Sequence, residues 1–140
     1  MPDGTLQGRH ILDVEDEYFL ADELNLVLED AGAETLGPVA SVESGLRILQ
    51  GSTVPDAASL DVNLSGETVY RLADALMARG VPFLFTTGYD PAAIPAPYAH
   101  IRCLEKPVAL TKVLSELQKL LKEYSHRTIA SGCGEDRLLQ

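Results

Sequence analysis

The sequence predicts an α/β fold, with five parallel strands in one sheet and helices on both faces. Three observations predict it. Short apolar runs alternate with helix-spaced stripes five times along the chain, the pattern of parallel strands joined by right-handed helical crossovers. The "VPFLFTT" run (81–87) is nearly continuous in its apolar character, as a strand covered on both faces must be. Glycines at 32, 51 and 80 close the helical stripes, where helices commonly stop.

In chain order, "HILDV" (10–14) is a buried strand, and Leu20, Leu24, Val27, Leu28 and Ala31 follow at helical spacing before Gly32. "AETLGPVAS" (33–41) is a second strand, kinked at Gly37-Pro38. Ser41 is placed to cap a short helix carrying Val42, Leu46 and Leu49. "AASLDV" (57–62) is the third strand; Val69, Leu72, Ala73 and Leu76 stripe the helix after it. The fourth strand is "VPFLFTT" and the fifth is "HIRCLE" (100–105). Between them, Pro91, Pro95 and Pro97 leave room for barely one turn, so the fourth helix is expected to be short or irregular. Leu110, Val113, Leu114, Leu117, Leu120, Leu121 and Tyr124 form the cleanest stripe. The domain is expected over 8–124, with 125–140 as a mobile C-terminal tail.

Composition narrows the partners. The chain has 140 residues, enough for one domain, and a formal net charge of −10. Nucleic acid and anionic membrane surfaces are not expected, because both need a Lys/Arg footprint. Cys103 and Cys133 have neither CxxC spacing nor a histidine in ligand register, so no disulfide framework or zinc site is expected. With no signal-like apolar segment and no membrane-length stretch, the chain reads as cytoplasmic.

In a parallel sheet of this kind, function gathers at the carboxyl ends of the strands. Strand one ends in Glu15-Asp16, strand three in Asp61, strand four in Thr87-Gly88 and strand five in Lys106-Pro107. Converging carboxylates oppose one another's ionisation, and a hard divalent cation with oxygen ligands removes that conflict. Magnesium and the Lys106 ammonium would then face a common point that suits a phosphoryl group. Thr87 would donate a hydrogen bond there and a carboxylate would attack.

With these residues in place, the chain resembles the receiver domain of two-component response regulators over roughly residues 8–124. The matching stretches are "VEDE", "LDVNLSGE", "FTTGYD" and "LEKP". The resemblance implies a flavodoxin-like sheet of strand order 2-1-3-4-5 and a Mg²⁺ (or Mn²⁺) cofactor. It implies that Asp61 is the phospho-acceptor, that Glu15, Asp16 and Asp61 bind the metal, and that Asn63 adds its backbone carbonyl. Thr87 would be the switch hydroxyl and Lys106 the phosphate-binding lysine, with Pro107 following it in a cis peptide. "PFLFTTGY" is similar to the FAT GUY group of stand-alone receivers, in which the tyrosine after Thr-Gly, here Tyr89, takes part in switching. Cys103 stands where most receivers carry an aromatic switch residue.

The resemblance thus implies a single-domain response regulator, a signalling module rather than an enzyme. Its phosphoryl donor would be a histidine kinase or histidine phosphotransfer protein, and its output contact with a downstream protein target. The alternative is a non-phosphorylated interaction module on the same fold. An aspartate-nucleophile phosphohydrolase is a further reading, because "DVE" at 13–15 loosely echoes a DxD loop.

Asp13 departs from the pattern. A central parallel strand should be apolar there, and an unpaired buried carboxylate is costly. Ser59 stands two before Asp61 as Asp13 stands two before Glu15, so the two should be same-face neighbours below the site. Ser59 is expected to donate to Asp13, whose pKa burial should raise.

Overall fold

A computed structural model describes residues 6–132, with side chains to Tyr124. The elements run β1 (His10–Val14), α1 (Tyr18–Asp30), β2 (Glu34–Val39), α2 (Val42–Leu49) and β3 (Ala57–Asp61). Then come β4 (Asn63–Leu64), β5 (Glu67–Thr68), α3 (Tyr70–Ala78), β6 (Phe83–Thr87), β7 (Cys103–Glu105) and α4 (Leu110–Gly132). β2-β1-β3-β6-β7 form one five-stranded parallel sheet, the order expected, with β6 and β7 as its fourth and fifth strands.

Local chemistry sets the element ends. Ser41 Oγ accepts from the Ser44 N–H at 3.1 Å and caps α2. After α1, the Gly32 N–H reaches the Glu29 carbonyl and the Ala33 N–H reaches Leu28. This is a Schellman ending, and it needs the positive φ of +97° that Gly32 adopts. The kink in β2 is a bulge: Leu12 pairs with Leu36, but Val14 pairs with Val39. Gly37-Pro38 is cis there.

Between β6 and β7 the proline-rich segment forms two 3₁₀ turns, Pro91–Ala93 and Ala96–Tyr98, the irregular unit expected. Tyr98 anchors it by stacking on Tyr70, centroids 4.6 Å apart, and by donating to Asp74 at 2.7 Å. The Ile101 N–H still bonds the Tyr98 carbonyl, so β7 begins at Cys103 rather than at His100. α4 continues past Tyr124, the last residue of its apolar stripe, to Gly132. The remainder of the expected tail, 133–140 with Cys133, lies outside the described residues.

Side chains alternate across the sheet and build two cores. Leu12, Val14, Ala58, Leu60, Phe83 and Phe85 pack under α2 and α3. Ile11, Ala57 and Leu84 pack with Leu24 and Leu28 of α1 and Val113 and Leu117 of α4. Two residues further along each strand, this second face turns polar: Asp13 then Glu15, Ser59 then Asp61, and Thr86, all buried. The strand ends thus place a polar layer directly above an apolar one, between α1 and α4. Among the described residues, no helix is long and apolar enough to cross a membrane.

Candidate functional site

The site grows from the carboxyl ends of β1, β3, β6 and β7. Parallel pairing sets Asp61 opposite Thr86 and Thr87 opposite Glu105. The Lys106 N–H donates to the Thr87 carbonyl at 2.7 Å, which brings the lysine over the end of β6. The Lys106–Pro107 peptide is cis. From there the Lys106 ammonium donates to Glu15 Oε1 at 3.0 Å and to Asp61 Oδ2 at 3.2 Å. Both carboxylates are buried and Lys106 is itself mostly covered, so these charge-assisted bonds lie where water screens them weakly.

Glu15, Asp16 and Asp61 each present an oxygen within 4.8 Å of the others. Three carboxylates against one ammonium leave an excess of negative charge. Burial pushes the Glu15 pKa up; the Lys106 hydrogen bond opposes this and the Asp61 charge adds to it. Burial disfavours the Lys106 ammonium, but Glu15 and Asp61 outweigh it and hold its pKa above the usual lysine value. An all-oxygen set of clustered carboxylates with one proton affinity driven up fits a hard divalent cation, which would take the place of protons.

Asp16 is oriented by a residue that the sequence reading passed over. β4 and β5 form a small antiparallel hairpin closed by Ser65-Gly66, with φ of 51° and 89°, and Ser65 Oγ donates to Asp16 Oδ2 at 2.7 Å. Ser-Gly between short runs is a hairpin signal, but strands of two residues carry no legible alternation. The hairpin also sets Asn63. Val69 N–H bonds the Val62 carbonyl, so Asn63 and Thr68 form the non-bonded pair and Asn63 turns its backbone groups away from β5. Its N–H donates to Asp61 Oδ1 at 3.3 Å, and its carbonyl is free of the hairpin ladder.

Ser65→Ala should therefore loosen Asp16 without touching the core. The expected result is Mg²⁺ binding weakened about three- to fivefold, from the loss of one solvent-exposed hydrogen bond worth about 0.7–0.9 kcal/mol. Fluorescence or calorimetric titration of the two proteins checks it; equal affinities would show that Asp16 needs no support from the hairpin.

Thr87 is buried at the end of β6, and its Oγ1 accepts from the Tyr89 N–H at 3.1 Å. Tyr89 itself stands 66 % exposed beyond the strand, outside the cluster that Glu15, Asp16, Asp61 and Lys106 form. Cys103 is half-buried on β7, and burial raises its thiol pKa. Glu17 is exposed at the N-cap of α1 and its side chain makes no cap bond.

The reading of Asp13 needs one correction. Asp13 and Ser59 are direct register partners on β1 and β3, as expected. Asp13 is wholly buried, yet neither of its carboxyl oxygens has a hydrogen-bond partner among the described residues. Adjacency across the sheet brought the residues together, but the Ser59 hydroxyl does not bond the carboxyl. Burial, and then the Glu15 charge, push the Asp13 pKa up to about 8.

No protein-family model matches the chain, and no curated protein matches it. Solved structures do. SdrG from Sphingomonas melonis Fr1 is 37 % identical, with 81 % of this chain and 96 % of that chain covered and a TM-score of 0.68. SdrG has also been solved in a BeF3-activated conformation. The signal receiver domain of a modulated diguanylate cyclase from Desulfovibrio desulfuricans G20 is 25 % identical over 85 % of this chain and 98 % of that chain, TM-score 0.74. A CheY-like response regulator receiver domain protein from Methanospirillum hungatei JF-1 shares the fold at 23 % identity, over 85 % of this chain and 98 % of that chain, TM-score 0.72. The chain belongs to the response regulator receiver domains, signalling modules of two-component systems.

Proposed function

We propose that this chain is a single-domain response regulator that accepts a phosphoryl group on Asp61. The donor is a phospho-histidine on a histidine kinase or phosphotransfer protein, and the output is contact with a downstream protein. One observation carries the reading: the Lys106 ammonium lies between Glu15 and Asp61, beside a third carboxylate whose oxygen is within 4.8 Å of theirs. A lone carboxylate at a strand end would be an ordinary turn residue; an acceptor carboxylate needs positive charge gathered around the phosphoryl oxygens.

Glu15, Asp16, Asp61 and the Asn63 carbonyl would hold Mg²⁺ (or Mn²⁺), which when bound supplies positive charge toward the phosphoryl oxygens. An Asp61 oxygen forms the bond to phosphorus while the phosphorus–nitrogen bond to histidine breaks, its electron pair remaining on the imidazole. Lys106 leaves its carboxylate partners to donate to the incoming phosphoryl group. Thr87, whose oxygen now accepts from Tyr89 N–H, keeps its own O–H free to donate to the same group. Breaking or turning that Thr87–Tyr89 contact would carry the event to the exposed Tyr89 ring.

Beryllium trifluoride, a tetrahedral phosphoryl analogue, tests the site with no donor protein. Fluorine NMR should show bound, slowly exchanging fluoride signals that need Mg²⁺ and vanish in Asp61→Ala. Signals that persist in Asp61→Ala would place the acceptor elsewhere, and their absence from the wild type would favour an interaction module that is never phosphorylated.

A further inference from the structure

Below the acidic cluster, a cavity of about 20 Å³ is lined by Asp13, Glu15, Ser59, Thr86 and Lys106, with Leu24 and Val113 on its apolar side. We infer that this cavity holds one water molecule shared by Asp13, Ser59, Thr86 and Lys106, through which Asp13 acts as a positioning residue for the Lys106 ammonium. The cavity belongs to this chain's own departure from an apolar strand, and nothing in the phosphoryl-acceptor chemistry calls for it.

Three features support a water. Asp13 is 0 % exposed and neither of its carboxyl oxygens has a partner among the described residues, and a buried acceptor of that kind is normally satisfied by ordered solvent. The volume suffices for one molecule, since about 10–15 Å³ is the least that holds a water and a second would need as much again. The lining offers the two to four polar partners a buried water requires: carboxyl oxygens on β1 and hydroxyls on β3 and β6. A metal cation is disfavoured, because the Lys106 ammonium lines the cavity and would repel it.

Lys106 connects this layer to the site. An ammonium has three N–H donors, and the bonds to Glu15 and Asp61 use two. The third donates to the water, which donates in turn to Asp13, with Ser59 and Thr86 completing its shell. The ammonium is thereby held from above by two carboxylates and from below by the water.

Oxygen-17 relaxation dispersion, which counts long-lived buried waters, tests this on the full chain. Asp13→Leu should lose one such water, because its methyl groups fill the cavity, whereas Asp13→Asn keeps it through the amide oxygen. The positioning role predicts that Asp13→Leu also accepts phosphate from acetyl phosphate about tenfold more slowly, although it is no less stable, and that Asp13→Asn recovers most of the rate. Only this rate arm rests on the phosphoryl-acceptor reading; the water count does not. An equal count in wild type and Asp13→Leu would overturn the site, and an unchanged rate in a working acceptor would overturn the positioning role. Should Asp13→Leu not fold, a crystal structure of the wild type decides: density for a water on Asp13, Ser59 and Thr86 upholds the site, and an empty cavity or a direct Ser59–Asp13 bond ends it.

Discussion

Replacing Asp13 with leucine should make the protein more stable at pH 8 by on the order of 3 kcal/mol, an unusual gain for a single core substitution. The carboxyl is wholly buried with no hydrogen-bond partner among the described residues, and its pKa rises from 3.8 to about 8 on folding. The sign follows directly. Between those two values the folded chain holds a proton that the unfolded chain releases, so stability falls as pH rises through that window. The slope is roughly 1.4 kcal/mol per pH unit from this one group, and the overpacking cost of the larger leucine, about 1–3 kcal/mol, takes back part of the sum. Below about pH 4 both states are protonated and the penalty is absent.

Asp13→Asn removes the slope but leaves a polar group in place, so it should flatten the pH profile with a smaller gain than leucine. Urea unfolding of the three proteins at pH 5, 6.5 and 8, in EDTA, measures both effects. Glu15, raised in the same direction by its own burial, leaves some slope in every variant. Three parallel profiles would mean that Asp13 is ionised and satisfied in the folded state.

The second large effect concerns Lys106. Lys106→Met should destabilise the metal-free protein by about 3 kcal/mol at neutral pH, because Glu15 and Asp61 then lose the ammonium that each contacts. The loss should grow with pH as the stranded carboxylates resist ionisation. Magnesium should offset part of it: at about ten times its dissociation constant it adds roughly 1.4 kcal/mol to whichever protein binds it. Thermal melts with EDTA and with Mg²⁺ check the pair of expectations. A variant as stable as wild type in EDTA would show that the carboxylates are indifferent to the ammonium.

The sheet, its strand order and its ends were legible because they rest on composition at positions that topology forces together. Glu15, Asp16, Asp61 and Lys106 stand at the carboxyl ends of three strands, and parallel pairing leaves them no other place to meet. Side-chain geometry was less legible. Register made Asp13 and Ser59 neighbours, but whether a hydroxyl turns toward a carboxyl depends on rotamers and on the space beneath, which no pattern encodes. The Ser65 contact to Asp16 was hidden because it depends on a hairpin of two-residue strands, below the length at which alternation can be seen. The late start of β7 has a similar origin: the apolar character of Ile101 suggested a strand, while its backbone completes the Tyr98 turn.

Everything proposed about signalling converges on Asp61. Intact mass after incubation with acetyl phosphate, with and without Mg²⁺, for wild type and Asp61→Ala side by side, is the most direct test. One phosphoryl adduct is expected on the wild type, dependent on the metal and absent from Asp61→Ala. An adduct of the same mass and yield on Asp61→Ala, or one indifferent to Mg²⁺, would contradict the assignment of Asp61 as the acceptor within a metal-binding acidic cluster.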